Sequence, residues 1–151
     1  MLPRAGDIVT LVGTGEQASD AVEFAEDGSA LGVPRAVARL NSPVDVAFDA
    51  AGTLFAVDWN AHKIRRVAGD EVFPVIGSGG TEGDGCSGDA SAGGCAPLSA
   101  RLDHPTDIAF ASDGSLFIAA WHNSKIKALS AADGVLRDVC GSGARDYAGD
   151  G

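Results

Sequence analysis

The chain has 151 residues, about the size of one compact domain, and carries 21 acidic against 11 basic residues, a formal net charge of −10. It has no basic stripe with interleaved aromatics of the kind a phosphate backbone requires, so no nucleic-acid partner is expected. No apolar run approaches the roughly 20 residues that cross a bilayer, and residues 1–6 are too short and polar for a secretory signal, so no membrane span is expected and any targeting segment would lie upstream.

Residues 7–12 read as a strand that ends in a Gly-Thr-Gly turn. The same ending recurs twice: IVTLVGTG (8–15), VFPVIGSG (72–79) and LRDVCGSG (136–143) follow one another at intervals of sixty-four residues. A long loop over residues 14–39 comes next, with Glu16, Asp20, Glu23, Glu26 and Asp27 clustering negative charge. A solvated face is the plain reading of such a run. Glu26-Asp27-Gly28, with Asp84 and Asp89 further on, would offer hard oxygen ligands to calcium. Neither group has the dense odd-position spacing of a calcium loop, so the expectation is no cofactor, with calcium left open. Ala38-Arg39-Leu40 and Ala100-Arg101-Leu102 close two loops identically, and each predicts a short helical turn with Leu inward and Arg outward.

Residues 40–67, LNSPVDVAFDAAGTLFAVDWNAHKIRRV, are then written a second time at 102–129, LDHPTDIAFASDGSLFIAAWHNSKIKAL, sixty-two residues on and without a gap. Pro43/Pro105, Asp45/Asp107, Phe48/Phe110, Gly52/Gly114, Trp59/Trp121 and Ile64/Ile126 are among the shared positions. A fixed period of this kind marks a repeat architecture, in which no unit buries its apolar face alone. Within the unit, Val44, Val46 and Phe48 alternate with Asp45, Ala47 and Asp49, the period of a pleated strand. Gly52 and Gly114 supply a hairpin turn. Residues 53–57 and 115–119 make a second strand, 63–67 and 125–129 a third, and 71–76 a fourth. Pro74 in that fourth strand predicts that it forms the outer edge of its sheet. The step from sixty-two to sixty-four residues falls in the turn between strands three and four, which tolerates insertion.

Cys86 and Cys95 lie in one Gly-, Ser- and Ala-rich loop. A disulfide between them would remove much of that loop's unfolded freedom and implies an oxidising compartment, extracellular or periplasmic. Zinc lacks both C-x-x-C spacing and an adjacent His. Cys140 aligns with Ile76 and Val12 and is expected to be a buried apolar residue.

Four antiparallel strands per unit, in tandem, describe β-propeller blades. The run P-x-D-V-A-x-D-x-x-G-x-L-x-x-x-D over 43–58, His62-Lys63-Ile64-Arg65, and Gly83-Asp84-Gly85 resemble the NHL repeat over nearly the whole chain. The family's Asp-x-x-Asn-His-Arg-Ile turn is kept in part: the first copy has Asp58 and His62 without the Asn, the second has Asn123. The resemblance implies an all-β chain of about two NHL-type blades: residues 1–15 as the outer strand of a preceding blade, 38–79 and 100–143 as full blades, and 144–151 as the start of a further loop. Two blades cannot close a ring that typically holds about four to eight, so a larger propeller is expected. The missing blades would come from the rest of a longer chain or from other copies.

Antiparallel topology places the loop entering strand one and the turn between strands two and three on the same side. Trp59, Asn60, His62, Trp121, His122 and Asn123 are therefore expected to share one face with the long loops. Such a face suits a protein or glycan partner, since aromatic residues dominate binding energetics. The competing reading makes each Trp a filler against the neighbouring blade. Asp45, Asp107 and His104 are the candidates for a central channel, although a carboxylate repeated in every blade more often braces backbone amides. The resulting expectation is a non-catalytic binding or scaffold module. The alternative is a lactonase-like or lyase-like enzyme with a central metal, for which a single His at the strand-one entrances is insufficient.

Overall fold

The computed structural model describes residues 6–16, 32–78, 82–86 and 93–144. The chain is all-β, built as two antiparallel sheets. The first contains β1 (Val33–Pro34), β2 (Pro43–Phe48), β3 (Leu54–Asp58), β4 (Lys63–Ala68) and β5 (Glu71–Ile76), in the order β1-β5-β4-β3-β2. The second contains β6 (Pro105–Phe110), β7 (Leu116–Ala120), β8 (Lys125–Leu129) and β9 (Leu136–Cys140), in sequence order.

The written repeat is a structural one. Val46 faces Ala56 as Ile108 faces Ile118, and Phe55 faces Arg66 as Phe117 faces Ala128. Register irregularities recur at equivalent places, between Pro43 and Asp45 and between Pro105 and Asp107. Gly52 and Gly114 take φ of 80° and 86° in the hairpin turns, a conformation open to glycine without steric penalty.

The edge strands β2 and β6 lie beside each other, and one hydrophobic cluster draws on both sheets. Phe55, Val57, Ile64 and Ile76 contribute from the first, and Leu102, Ile108, Leu116 and Ile118 from the second or its entry. Phe55 meets Phe110 edge-on at 4.9 Å. Across this junction Asp45 Oδ2 accepts the Ile108 N–H at 3.0 Å.

Several expectations are corrected. β5 is not an outer edge: Val33 and Pro34 pair with Val72 and Glu71, and the Arg35 N–H donates to the Asp70 carbonyl at 2.8 Å. The second sheet repeats this with a single bridge, Cys95 and Leu136 exchanging hydrogen bonds of 2.8 and 2.9 Å. The loop preceding each unit thus returns along that unit's own outer strand. The added pairing stops at Val72, so the donor that Pro74 lacks is not required.

Residues 7–12 belong to neither sheet. Gly13 and Thr14 nevertheless donate to the Arg35 and Ala38 carbonyls at 3.1 and 3.2 Å, as Gly77 and Ser78 donate to Pro97 and Ala100 at 3.1 and 2.7 Å. The segment occupies the place that follows an outer strand, without the inner strands that would extend it into a sheet. Cys140 is exposed, whereas its counterpart Ile76 is fully buried, because the second sheet covers only the first sheet's flank. The helical turn in the second loop lies just ahead of its expected place, at Pro97–Ser99, with Leu102 buried and Arg101 exposed.

Cys86 and Cys95 form a disulfide, with Cα atoms 5.7 Å apart. Among the described residues no helix is long and apolar enough to cross a membrane. Glu26, Asp27, Gly28 and Asp89, for which calcium was left open, and residues 145–151, within the expected further loop, lie outside the described residues.

Candidate functional site

The connection from β3 to β4 is a tight 3-10 turn, Trp59–Ala61, closed by His62 in the left-handed conformation at φ 55°. Its counterpart in the second sheet is Ser124, at φ 52°. The entries to the inner strands show the same pairing, Ser42 at φ 58° and His104 at φ 48°. Left-handed non-glycine residues are uncommon, and their recurrence at equivalent positions marks a requirement of the unit's backbone. The side chains at these positions do not repeat, and their differences create the site.

At the junction of the sheets the His62 end of the first turn abuts the entry to β6. The His104 backbone N–H donates to His62 Nδ1 at 3.1 Å, which leaves Nε2 to carry the proton of a neutral His62. His104 Nδ1 lies 2.5 Å from Asp103 Oδ1, and its Nε2 3.3 Å from Asn60 Oδ1. His122 Nδ1 reaches the same Asp103 oxygen at 3.3 Å. All three histidines of the chain therefore meet here. Their rings join both tryptophans in a continuous strip: Trp59 to His104 at 4.5 Å, His104 to His122 at 4.5 Å, and His122 to Trp121 at 4.0 Å between centroids. His62 meets His104 edge-on at 4.5 Å. The cluster is half-buried except Trp121, which is 56 % exposed.

The turns beneath the strip are braced in two ways. In the first unit Asp58 Oδ1 accepts the Asn41 N–H at 2.6 Å while Oδ2 pairs with Arg65 Nε at 2.5 Å, both side chains being buried. Burial pushes the Asp58 carboxyl up, against the pull of Arg65. In the second unit Asn123 Oδ1 accepts the equivalent amide, that of Asp103, at 3.0 Å, and Asn123 Nδ2 donates to the Gly83 carbonyl at 2.6 Å. The two units thus brace the equivalent amide with different side chains, Asp58 in one and Asn123 in the other.

Of the six residues expected to share a face, five lie in or beside the ring strip. Trp59, Asn60, His62, Trp121 and His122 come together, while Asn123 is a buried brace. His104, a central-channel candidate, stands at the middle of the ring strip. Asp45 is committed to the Ile108 amide, and its proximity raises the Asp107 carboxyl above the usual range through a shared hydrogen bond. Asp103 was not singled out from the sequence. The signal lay in the copies themselves, where Asn41-Ser42 of one becomes Asp103-His104 of the other.

Ligand atoms of His62, Asp103 and His104 lie within 4.8 Å of one another, close enough to converge on a metal ion. His62 Nδ1, His104 Nδ1 and Asp103 Oδ1 are engaged in hydrogen bonds, which an ion held by those atoms would have to displace. Asp84, considered for calcium, is bound by the ammonium groups of Lys125 and Lys127. Burial opposes ionisation there, but the two lysines outweigh it and hold the carboxyl down at about 2. Comparison with protein-family models and with curated proteins finds no match to this chain.

Proposed function

We propose that the chain is part of an NHL-type β-propeller and serves as a non-catalytic binding module, its long-loop face taking a glycan or protein partner. The observation that carries this reading is the strip Trp59–His104–His122–Trp121, flanked by the polar groups of Asn60 and Asp103. Flat rings offer contact area at low entropic cost, and a carboxylate and an amide beside them can bond hydroxyl groups. That combination favours a glycan over an apolar peptide. The Cys86–Cys95 disulfide is compatible with an extracellular or periplasmic setting, where such ligands are met.

The test is a glycan array followed by calorimetry on the best ligand. Trp121→Ala and His122→Ala are each expected to weaken binding by about tenfold or more, the scale of a central contact residue. Absence of glycan binding, or binding indifferent to both changes, would refute the glycan assignment.

A second reading, a metal-dependent enzyme of the lactonase-like or lyase-like propeller type, has in its favour the convergence of His62, Asp103 and His104. Stoichiometric zinc uptake that His104→Gln abolishes would favour it; the closed hydrogen bonding of the cluster supports the binding module.

A further inference from the structure

The junction between the two sheets is close-packed in one part and open in another. Val57, Ile64, Ile76 and Ile118 are fully buried along it, whereas toward the β2–β3 and β6–β7 hairpins the sheets flank a cleft of about 700 Å³. Packed interiors leave few voids, and a cleft of this size is within the range that holds small ligands. Phe55 and Pro74 line it from the first sheet, Phe110, Leu116 and Leu129 from the second, and Leu98 from the 3-10 turn. Those hairpins stand at the opposite ends of the strands from the ring strip, and no residue of the strip lines the cleft.

Two charged residues line this apolar space, Asp49 and Arg66, and they are differently engaged. Asp49 is tied into its own hairpin, where Oδ1 accepts the Ala51 and Thr53 N–H groups at 2.9 and 2.8 Å. The Thr53 N–H chiefly, and the Arg66 charge more weakly, hold its carboxyl below the usual range. The Arg66 guanidinium lies over the Phe73 ring at 5.2 Å and makes no hydrogen bond or ion pair among the described residues. Its counterpart in the second sheet is Ala128, so the repeated backbone does not require a cation there. A guanidinium beside an apolar cleft is complementary to a carboxylate carried on an apolar body.

We propose that this cleft is a further binding site, which takes a small amphipathic monocarboxylate. The hydrocarbon tail lies between the apolar walls of the two sheets, and the carboxylate pairs with Arg66. Burial of the tail supplies affinity in proportion to the apolar area removed from water. The planar fork of the guanidinium suits the head group in two-point contact. Asp49, fixed by its turn, disfavours a doubly charged head such as a phosphate, which narrows the class to ligands with a single negative charge. The site requires only the two sheets and is independent of the ring strip.

The test is titration of the full chain with octanoate, followed by calorimetry and by NMR of the leucine methyl groups and the tryptophan indoles. One-to-one binding with a Kd below about 1 mM is expected, with shifts at Leu98, Leu116 and Leu129 and none at Trp59 or Trp121. Octanol, which has the same tail and no charge, should bind about tenfold more weakly, the scale of a charged hydrogen bond. Arg66→Ala alters an exposed position whose counterpart is already Ala128, so circular dichroism should not change. It should cost octanoate about the same tenfold and leave octanol unaffected, while Arg66→Lys should cost octanoate less. Ala51→Glu, exposed on the hairpin, adds a repelling carboxylate beside the cleft and should also weaken octanoate. No saturable binding, or shifts at the indoles in place of the leucines, would overturn the site. Octanol binding as tightly as octanoate, or octanoate binding indifferent to Arg66→Ala, would overturn the pairing of the carboxylate with Arg66.

Discussion

Asp58→Ala should be among the costliest single changes in this chain. It leaves the Arg65 guanidinium buried without its carboxylate, and the Asn41 amide without its acceptor. Breaking a buried ion pair from one side costs about 3–5 kcal/mol, and the amide that loses its acceptor carries its own cost of about 1–3. The second unit supplies the control, because it has Ala120 at the position of Asp58 and braces the same amide with Asn123, the counterpart of Ala61. Asp58→Ala with Ala61→Asn should therefore recover about 1 kcal/mol or more, the net worth of the amide bond. Adding Arg65→Met should recover most of the rest, since apolar replacement of a whole buried pair is often neutral. Urea unfolding followed by tryptophan fluorescence and circular dichroism reads each step. A cost below about 1 kcal/mol for Asp58→Ala, or no recovery on adding Ala61→Asn, would refute the reasoning.

Three further outcomes follow from the same structure. Burial holds the Lys63 ammonium down at about 8, so between about pH 8 and 10 the unfolded chain keeps a proton that the folded chain has released, and stability should rise with pH by up to about 3 kcal/mol. Lys63→Met should flatten that rise in pH-dependent urea titrations. Cys86→Ser with Cys95→Ser should cost about 3 kcal/mol on the chain-entropy account of a loop this short, and added reductant should destabilise the wild type alone by a similar amount. Gly77 sits at φ 108°, and a methyl group there would strike the His62 carbonyl, whereas Gly69, at φ 60°, has open space around it. Gly77→Ala should therefore cost about 2–4 kcal/mol by thermal melting and Gly69→Ala only about 1–2, and equal effects would contradict the crowding.

The strands and hairpins were legible because a repeat constrains itself: Val46 and Ile108, or Gly52 and Gly114, must serve the same backbone at an offset of sixty-two residues. The outer pairing was not legible, since Val33–Pro34 is too short to show alternation and Cys95 pairs singly from within a loop. Cys140 was misjudged because alignment with Ile76 transfers a strand position but not the neighbour that covers it. For the site, local topology placed the tryptophans, His62 and His122 on one face. That His104 joins them depends on how one unit meets the next, and residues 62 and 104 share no local pattern that would announce it. The turn braces show the opposite case, in which sequence divergence between Asp58 and Asn123 conceals an identical bond.

Cys95 does two things at once: it is bonded to Cys86, and its backbone caps Leu136 on the outermost strand of the second sheet. The covalent link therefore tethers a cover over the first residue of an edge strand whose hydrogen-bonding groups stray strands would otherwise extend. In a reducing solution that cover is held only by its own two hydrogen bonds, and the start of β9 should open before the rest of the sheet comes apart.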